Sequence, residues 1–149
     1  MKLKDLCVLD VACCHKDTTI AEAARLMRQH HTGDLVITDD SDGTREPLGI
    51  LTDRDIVMDV VAKGRDPERA RVGDVMTVPL VVAAGSEDID TAIERMRTHG
   101  VRRLPILDDG GAVLGILTLD DFYRALAEHT TQLAAIVSKE QTREHRGRR

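Results

Sequence analysis

Leu48-Gly49-Ile50-Leu51-Thr52, followed by Asp53-Arg54-Asp55, returns later in the chain as Leu114-Gly115-Ile116-Leu117-Thr118, followed by Leu119-Asp120-Asp121. An apolar run that closes on a hydroxyl residue, with a carboxylate three positions beyond, reads as a strand handing over to a helix. Working outward from that phrase, the whole chain aligns on itself. At an offset of about 69 residues, Asp5 falls on Asp74, Ile20 on Ile89, Ala23 on Ala92 and Met27 on Met96. Arg28 falls on Arg97, His30 on His99, Leu35 on Leu104 and Ile37 on Ile106. The first copy holds about three extra residues in a turn between Ser41 and Pro47, after which Thr52 falls on Thr118 and Asp55 on Asp121. Apolar and turn positions match along with identities, so one structural unit is used twice.

Each copy predicts the same elements. A short strand, near Val11 to Cys14 and near Leu80 to Ala84, precedes a helix over about Thr19 to His30 and Ile89 to His99. Ile20, Ala23, Ala24 and Met27 recur at helical spacing, as do Ile89, Ala92, Ile93 and Met96. Asp17-Thr18-Thr19 and Ser86-Glu87-Asp88 supply oxygens for the free N–H groups at the two helix starts. Two strands joined by a polar turn come next: Leu35 to Ile37 with Leu48 to Leu51, and Leu104 to Leu107 with Val113 to Leu117. Their turns, Asp39-Asp40-Ser41-Asp42-Gly43 and Asp108-Asp109-Gly110-Gly111, carry hairpin chemistry. A second helix closes each copy, Asp53 to Lys63 and Leu119 to Glu128. The charged linker Arg65 to Arg71, with Pro67, marks the boundary. The fold class is therefore α+β: two pseudo-symmetric units, each β-α-β-β-α, packed as one module with clefts at the seam. The expected division is 1–64, 72–128 and a third segment, 129–149. In that segment Leu133, Ile136 and Val137 predict an amphipathic helix that packs on the module or on a second subunit, followed by a disordered basic tail.

Composition narrows the chemistry. Of the 149 residues only Phe122 and Tyr123 are aromatic, so the core is aliphatic and a nucleotide base would have to lie between aliphatic side chains or on an arginine plane. Net charge is −5; without the Lys139–Arg149 tail, 16 basic residues face 24 acidic ones. An acidic body argues against general nucleic-acid binding. No apolar run approaches the ~20 residues needed to span a bilayer. The start, Met1-Lys2-Leu3-Lys4-Asp5, opens no signal-peptide stretch, so a cytoplasmic location with reduced cysteines is expected.

The repeated Gly-h-h-Thr-x-x-Asp, the strand Val101-Arg102-Arg103-Leu104-Pro105-Ile106 and the Asp74-Val75-Met76-Thr77 lead-in resemble the cystathionine-beta-synthase-type (CBS) domain family, whose tandem pairs are called Bateman modules. The likeness covers about Leu3 to Ala127 and rests on the order of motifs, given twice. Within the family it is nearest to small stand-alone bacterial pairs, including the hypoxic-response type. The resemblance implies a regulatory module, not an enzyme. It implies an adenine nucleotide (AMP, ADP or ATP) as ligand, a homodimer, and a regulated protein partner that reads the bound state.

Thr52 with Asp55, and Thr118 with Asp121, stand where a helix begins, so backbone N–H groups and the helix dipole favour an anion there. The resemblance assigns ribose binding to Asp55 and Asp121. The motif alone favours capping boxes, which need no ligand. Arg102 and Arg103, adjacent on a strand, point to opposite faces. A guanidinium fork suits phosphate, or a surface ion pair with Asp108 or Asp109. Copy one has Gly33-Asp34 in their place, and Asp34 repels phosphate, so the two clefts are expected to differ and at least one to be empty or to take a less charged ligand. Arg54 falls on an exposed helix face.

Cys7, Cys13 and Cys14 align with the apolar positions Met76, Val82 and Ala83, which favours core packing over a metal site. His30, His31 and His99 sit at helix ends, where imidazole suits the dipole. No nucleophile, base and orienting group are gathered as catalysis would need, and no P-loop or GxGxxG turn is present.

Overall fold

The computed structural model describes residues 1–40 and 43–147. The turn residues Ser41 and Asp42 and the terminal Arg148 and Arg149, which the sequence places in a hairpin turn and a disordered tail, lie outside the described residues. The chain divides into two compact units, Met1–Leu117 and Thr118–Arg149.

The first unit contains both sheets. In order it runs α1 (Leu3–Leu6), β1 (Cys13–Cys14), α2 (Ile20–His30), β2 (Asp34–Asp39), β3 (Glu46–Thr52), α3 (Asp53–Ile56), β4 (Ala83–Ala84), α4 (Ile89–His99), β5 (Arg103–Leu107) and β6 (Val113–Thr118). The last residue of β6 begins the second unit. The sheets have orders β1-β2-β3 and β4-β5-β6, with β1 parallel to β2 and β4 parallel to β5. Strand β2 runs antiparallel to β3, Asp34 opposite Thr52 and Val36 opposite Ile50, with a bulge between Ile37 and Thr38. Thr38 there faces Pro47, a residue with no N–H for the ladder.

The repeat is built into the backbone pairing. Lys2 bridges Asp88 and Thr19 bridges Arg71; Val8 bridges Ile116 and Ile50 bridges Thr77. Within each pair of bridges every residue is the repeat-equivalent of one in the other. The lead-in to each copy therefore lies against the closing strand of the other copy, and the relation is a pseudo-twofold. Val36, Val113 and Ile116 form a buried cluster that joins the two sheets, with Val11, Ile50 and Leu107 packed on it. A second cluster, including Ile20, Ala23, Met27, Leu35, Leu51 and Val60, seats α2 on the first sheet. Of the α2 stripe predicted from spacing, Ile20, Ala23 and Met27 are buried and Ala24 is exposed; in α4, Ala92 and Met96 are buried and Ile93 is exposed.

Helix starts explain local detail. Thr19 caps α2 by a reciprocal box with Glu22: Glu22 N–H donates to Thr19 Oγ1 at 3.2 Å and Thr19 N–H to Glu22 Oε2 at 2.9 Å. These bonds, from the Thr19 backbone first and its side chain second, hold the Glu22 carboxyl below the usual carboxylate range. The linker contributes too. The carbonyls of Ala70 and Pro67 accept from Ile20 and Ala21 N–H, at 3.0 Å each, so two orphan donors of the helix start are satisfied by the boundary segment. Copy two differs from expectation. Asp88 precedes α4 without capping it, because its carboxylate pairs with Lys2 at 3.0 Å.

Two helices depart from the sequence reading. The helix expected over Asp53 to Lys63 is α-helical only to Ile56 and continues as a π-helical turn over Val57–Val61. Val57, Val60 and Val61 cluster there, and β-branched side chains crowd an α-helical turn. The second unit holds one helix, α5 (Leu119–Gly147), where a closing helix, a second helix and a frayed tail were expected. Between Leu119 and Arg146 it contains neither Gly nor Pro. Its Thr130, Thr131, Ser138 and Thr142 hydroxyls donate to carbonyls four residues back, at 2.8, 2.9, 3.2 and 2.9 Å, rather than interrupting the helix.

Among the described residues no cysteine is joined in a disulfide. Cys14 packs against the first sheet's core, and burial, with Cys13 beside it, pushes its thiol up to about 11 against a hydrogen bond from Thr18. The thiolate is the reactive form, so Cys14 carries about a hundredfold less of it near neutrality than an ordinary cysteine. Iodoacetamide at pH 8, followed by peptide mass mapping, is expected to label Cys14 more slowly than a model peptide by one to two orders of magnitude. Labelling at the peptide rate would show that the site opens readily.

Candidate functional site

The site grows from the end of β3. The run Leu48 to Leu51 is apolar and alternates into the core until Thr52, whose side chain turns the backbone into α3. Thr52 N–H donates to Asp55 Oδ2 at 2.9 Å and Asp55 N–H to Thr52 Oγ1 at 3.2 Å, a complete capping box. Among the described residues, Asp55 makes its cap through Oδ2 alone. Across the ladder from Thr52 stands Asp34. The Arg103 guanidinium reaches Asp34: Nε lies 2.6 Å from Oδ2, with side chains 35% and 13% exposed. The other oxygen of Asp34 accepts from Thr32 Oγ1 at 3.4 Å.

Asp34 and Arg103 are equivalent positions of the repeat. Two equivalent residues touch only where they meet the pseudo-twofold axis, so this ion pair marks it. The expected partners of Arg103, Asp108 and Asp109, are not used. Asp108 Oδ1 instead accepts from Gly110 and Ala112 N–H at 2.8 and 3.0 Å, closing its own turn. Arg102 is exposed, but it lies in the bend before β5 rather than on the strand, so the expected alternation with Arg103 does not apply. Arg54 is exposed as well. Of the predicted residues, the first unit thus gathers Thr52, Asp55 and Arg103 around Asp34 and leaves Arg102 apart. The pairing was signalled in the sequence by opposite charges at matched repeat positions. It was missed because the partner of Arg103 was expected close by in the chain, at Asp108 or Asp109.

The remaining predicted pair lies in the second unit. Thr118 N–H and Oγ1 both donate to Asp121 Oδ2, each at 2.8 Å, and Arg124 Nη1 lies 3.0 Å from Oδ1. Asp121 is only 3% exposed, so this carboxylate is buried with both oxygens engaged.

Two open grooves flank the sheets of the first unit. One, about 710 Å³, runs between α2 and α3 and is lined by Ala24, Met27, Arg28, Gly33, Asp53 and Ile56. The other, about 650 Å³, lies at the hairpin ends among Pro47, Leu48, Leu80, Val82 and Leu107. Neither is lined by Thr52 or Asp55. The second is at the far end of β3 from Thr52, about 16 Å away at the rise of a strand. Its aliphatic walls are what a composition almost without aromatics allows. Among the described residues no group of His, Cys, Asp and Glu has the geometry to hold a metal ion, and no helix is long and apolar enough to cross a membrane.

Known proteins place this geometry in a family. The family model for the CBS domain matches twice, over residues 3–62 and 72–128. An uncharacterised protein of Methanopyrus kandleri is 39% identical over 69% of this chain, which spans only 51% of that relative. Hypoxic response protein 1 of Mycobacterium tuberculosis is 35% identical over 85% of each chain. A crystal structure of Hypoxic Response Protein I, with two coordinated zinc ions, superposes with a TM-score of 0.73 at 32% identity, covering 83% of this chain and 98% of that one. The CBS domain pair of protein MJ0100, in complex with 5′-methylthioadenosine and S-adenosyl-L-methionine, gives a TM-score of 0.75 at 25% identity, covering 87% and 98%. Two matched copies, a mixed α+β architecture with two three-stranded sheets and this set of relatives lead to one conclusion: the chain belongs to the CBS domain family and is a CBS-pair module.

Proposed function

We propose that the chain is a regulatory, non-catalytic module that binds an adenosine-type ligand, of the class that includes AMP, ADP and ATP, at the cleft between its two CBS copies. Its copies are taken as 1–64 and 72–128, followed by the C-terminal segment 129–149. In this reading the Asp55 carboxylate accepts the ribose hydroxyls through Oδ1, Thr52 orients the end of β3, and Arg103 faces the ligand's 5′ side. Thr118 and Asp121 serve the second copy in the same way, and Arg102 is left to meet a phosphate from outside or a partner. The observation that carries the reading is the Thr52–Asp55 pair with one oxygen uncommitted, in a fold whose relative MJ0100 is complexed with two adenosine compounds. Ligand binding would bias the arrangement of the copies only if one arrangement binds better. A homodimer and a protein that reads its state complete the proposal, as does residence in the cytoplasm.

A second reading is a ligand-free dimeric scaffold. It is favoured by the complete capping box at Thr52, by the Thr118 bonds to Asp121 at the start of α5 and by an Arg103 already paired within the chain. A thermal-shift panel of adenosine, 5′-methylthioadenosine, AMP, ADP, ATP and GTP separates the two. A ligand at a hundred times its Kd stabilises by about 2.7 kcal/mol. The expected result is a saturable rise with at least one adenosine compound, none with GTP, and loss of the rise in Asp55→Ala. No rise with any compound at millimolar concentration would establish the scaffold.

A further inference from the structure

The Asp34–Arg103 pair bears on which adenosine compounds are taken. We infer that Asp34 is a specificity-determining residue that selects adenosine ligands whose 5′ substituent carries little or no negative charge, and rejects those with a phosphate chain. This rests on the proposal that adenosine binds beside Thr52 and Asp55.

The charge layout is specific. Arg103 is the one cation among the first unit's predicted ligand residues that faces inward, and it is committed at 2.6 Å to a carboxylate only 13% exposed. A phosphate reaching that guanidinium must either displace Asp34 or sit against it. Displacement leaves a half-buried carboxylate without its counter-ion, and sitting against it sets two anions side by side in a poorly solvated place. Asp53 adds a further carboxylate at the start of α3, its Oδ1 held by Arg54 N–H at 2.8 Å. Asp55 adds another, three positions into the same phrase. Asp34, Asp53 and Asp55 face this end of β3, where the inward arginine, Arg103, is already neutralised; the other cations nearby, Arg54 and Arg28, are exposed to solvent. A neutral thioether or a cationic sulfonium meets none of that repulsion, and a cation would be drawn to it. Rejection by unpaired or like charge is how a site discriminates when attractive contacts are shared, and here ribose and base are common to every candidate.

Gly33 supports the assignment. A Cβ at this position would lie 2.9 Å from Asp53 Oδ2, and the Gly33 carbonyl accepts from Asp53 N–H at 2.9 Å. Where copy two has Arg102, copy one has a glycine, and a side chain there would have to push the Asp53 carboxylate aside. The sequence at this edge therefore removes one arginine and neutralises the other.

Isothermal titration with adenosine, 5′-methylthioadenosine, AMP and ATP tests the inference on the full chain. The wild type is expected to bind adenosine or 5′-methylthioadenosine at least about tenfold more tightly than ATP. In Asp34→Asn, which keeps the shape and frees Arg103, the ratio is expected to fall severalfold through a gain in ATP affinity. Asp34→Ser serves if the asparagine variant does not fold by circular dichroism, and the wild-type ratio stands without either variant. ATP binding as tight as adenosine in the wild type, or a ratio unmoved in folded variants, overturns the charge selection and leaves the adenosine site intact. Binding of none of the four overturns the site itself.

Discussion

Gly115→Ala is expected to destabilise the protein by about 3 kcal/mol, and by clearly more than Gly49→Ala at the matching position of the other copy. A Cβ on Gly115 would stand 2.7 Å from the Val8 carbonyl oxygen and 2.7 Å from Cys7 Sγ. Neither neighbour can retreat freely. Val8 and Ile116 exchange backbone hydrogen bonds of 2.9 Å in both directions, so moving the carbonyl away breaks the bridge that ties the lead-in of copy one to the sheet of copy two. At Gly49 the first atom met is Met76 Sδ at 2.8 Å, the end of a flexible side chain, and the Thr77 carbonyl is further off at 3.1 Å. About 1 kcal/mol is expected there. For a chain of this size, the difference corresponds to a gap in Tm of several degrees. Equal melting temperatures for the two variants would mean that the backbone at Val8 yields, and that the close approach does not constrain the fold. The glycine of the repeated motif is thus explained by packing: it lets the other copy's lead-in pass within hydrogen-bonding distance of the strand.

That glycine shows how far a single sequence carries. Leu48-Gly49-Ile50-Leu51-Thr52 and its second copy identify the strand, its end and the helix that follows, because alternation and a hydroxyl cap are local signals. The repeat also implied a pseudo-twofold, and the four backbone bridges obey it residue by residue. What stayed illegible depends on contacts across the axis. Asp34 looked like a defect in copy one when compared with Arg103, whereas the two are partners because the axis brings equivalent positions together. Asp88 looked like a cap until Lys2, remote in sequence, claimed its carboxylate. The helix α5 was cut too short for the opposite reason. A helix to Glu128, a second one carrying Leu133, Ile136 and Val137 and a disordered tail were expected, whereas the hydroxyls of Thr130, Thr131, Ser138 and Thr142 each find the carbonyl one turn back and a single helix continues. At the candidate site the residue types were readable and their state was not. Both Thr-x-x-Asp phrases suggested a cap or a ribose site, and only the geometry distinguishes a carboxylate with an uncommitted oxygen from one fully engaged.

That distinction yields the second large effect. Asp121→Ala is expected to cost about 2–3 kcal/mol, against about 1 kcal/mol for Asp55→Ala. Both variants lose a cap, but Asp121 is 3% exposed and its Oδ2 takes two bonds, from the Thr118 N–H and hydroxyl. Deleting it empties a buried position and leaves both Thr118 donors without their acceptor, whereas at the half-buried Asp55 only the Thr52 N–H loses one. Arg124 adds little, since its side chain is 65% exposed and screened. Asp121→Asn, which keeps an accepting oxygen for the Thr118 N–H, is expected to recover at least half of the loss. Urea unfolding of the four proteins measures this directly, and equal midpoints for the two alanine variants would refute the difference. The ordering also decides where ligand binding can be tested cleanly. At Asp121 a ribose hydroxyl must compete with Arg124 for Oδ1, and removing the carboxylate disturbs folding and binding together. At Asp55 the cap uses one oxygen only, so Asp55→Ala can abolish an adenosine thermal shift while the fold persists, and a lost shift in that variant reports on binding.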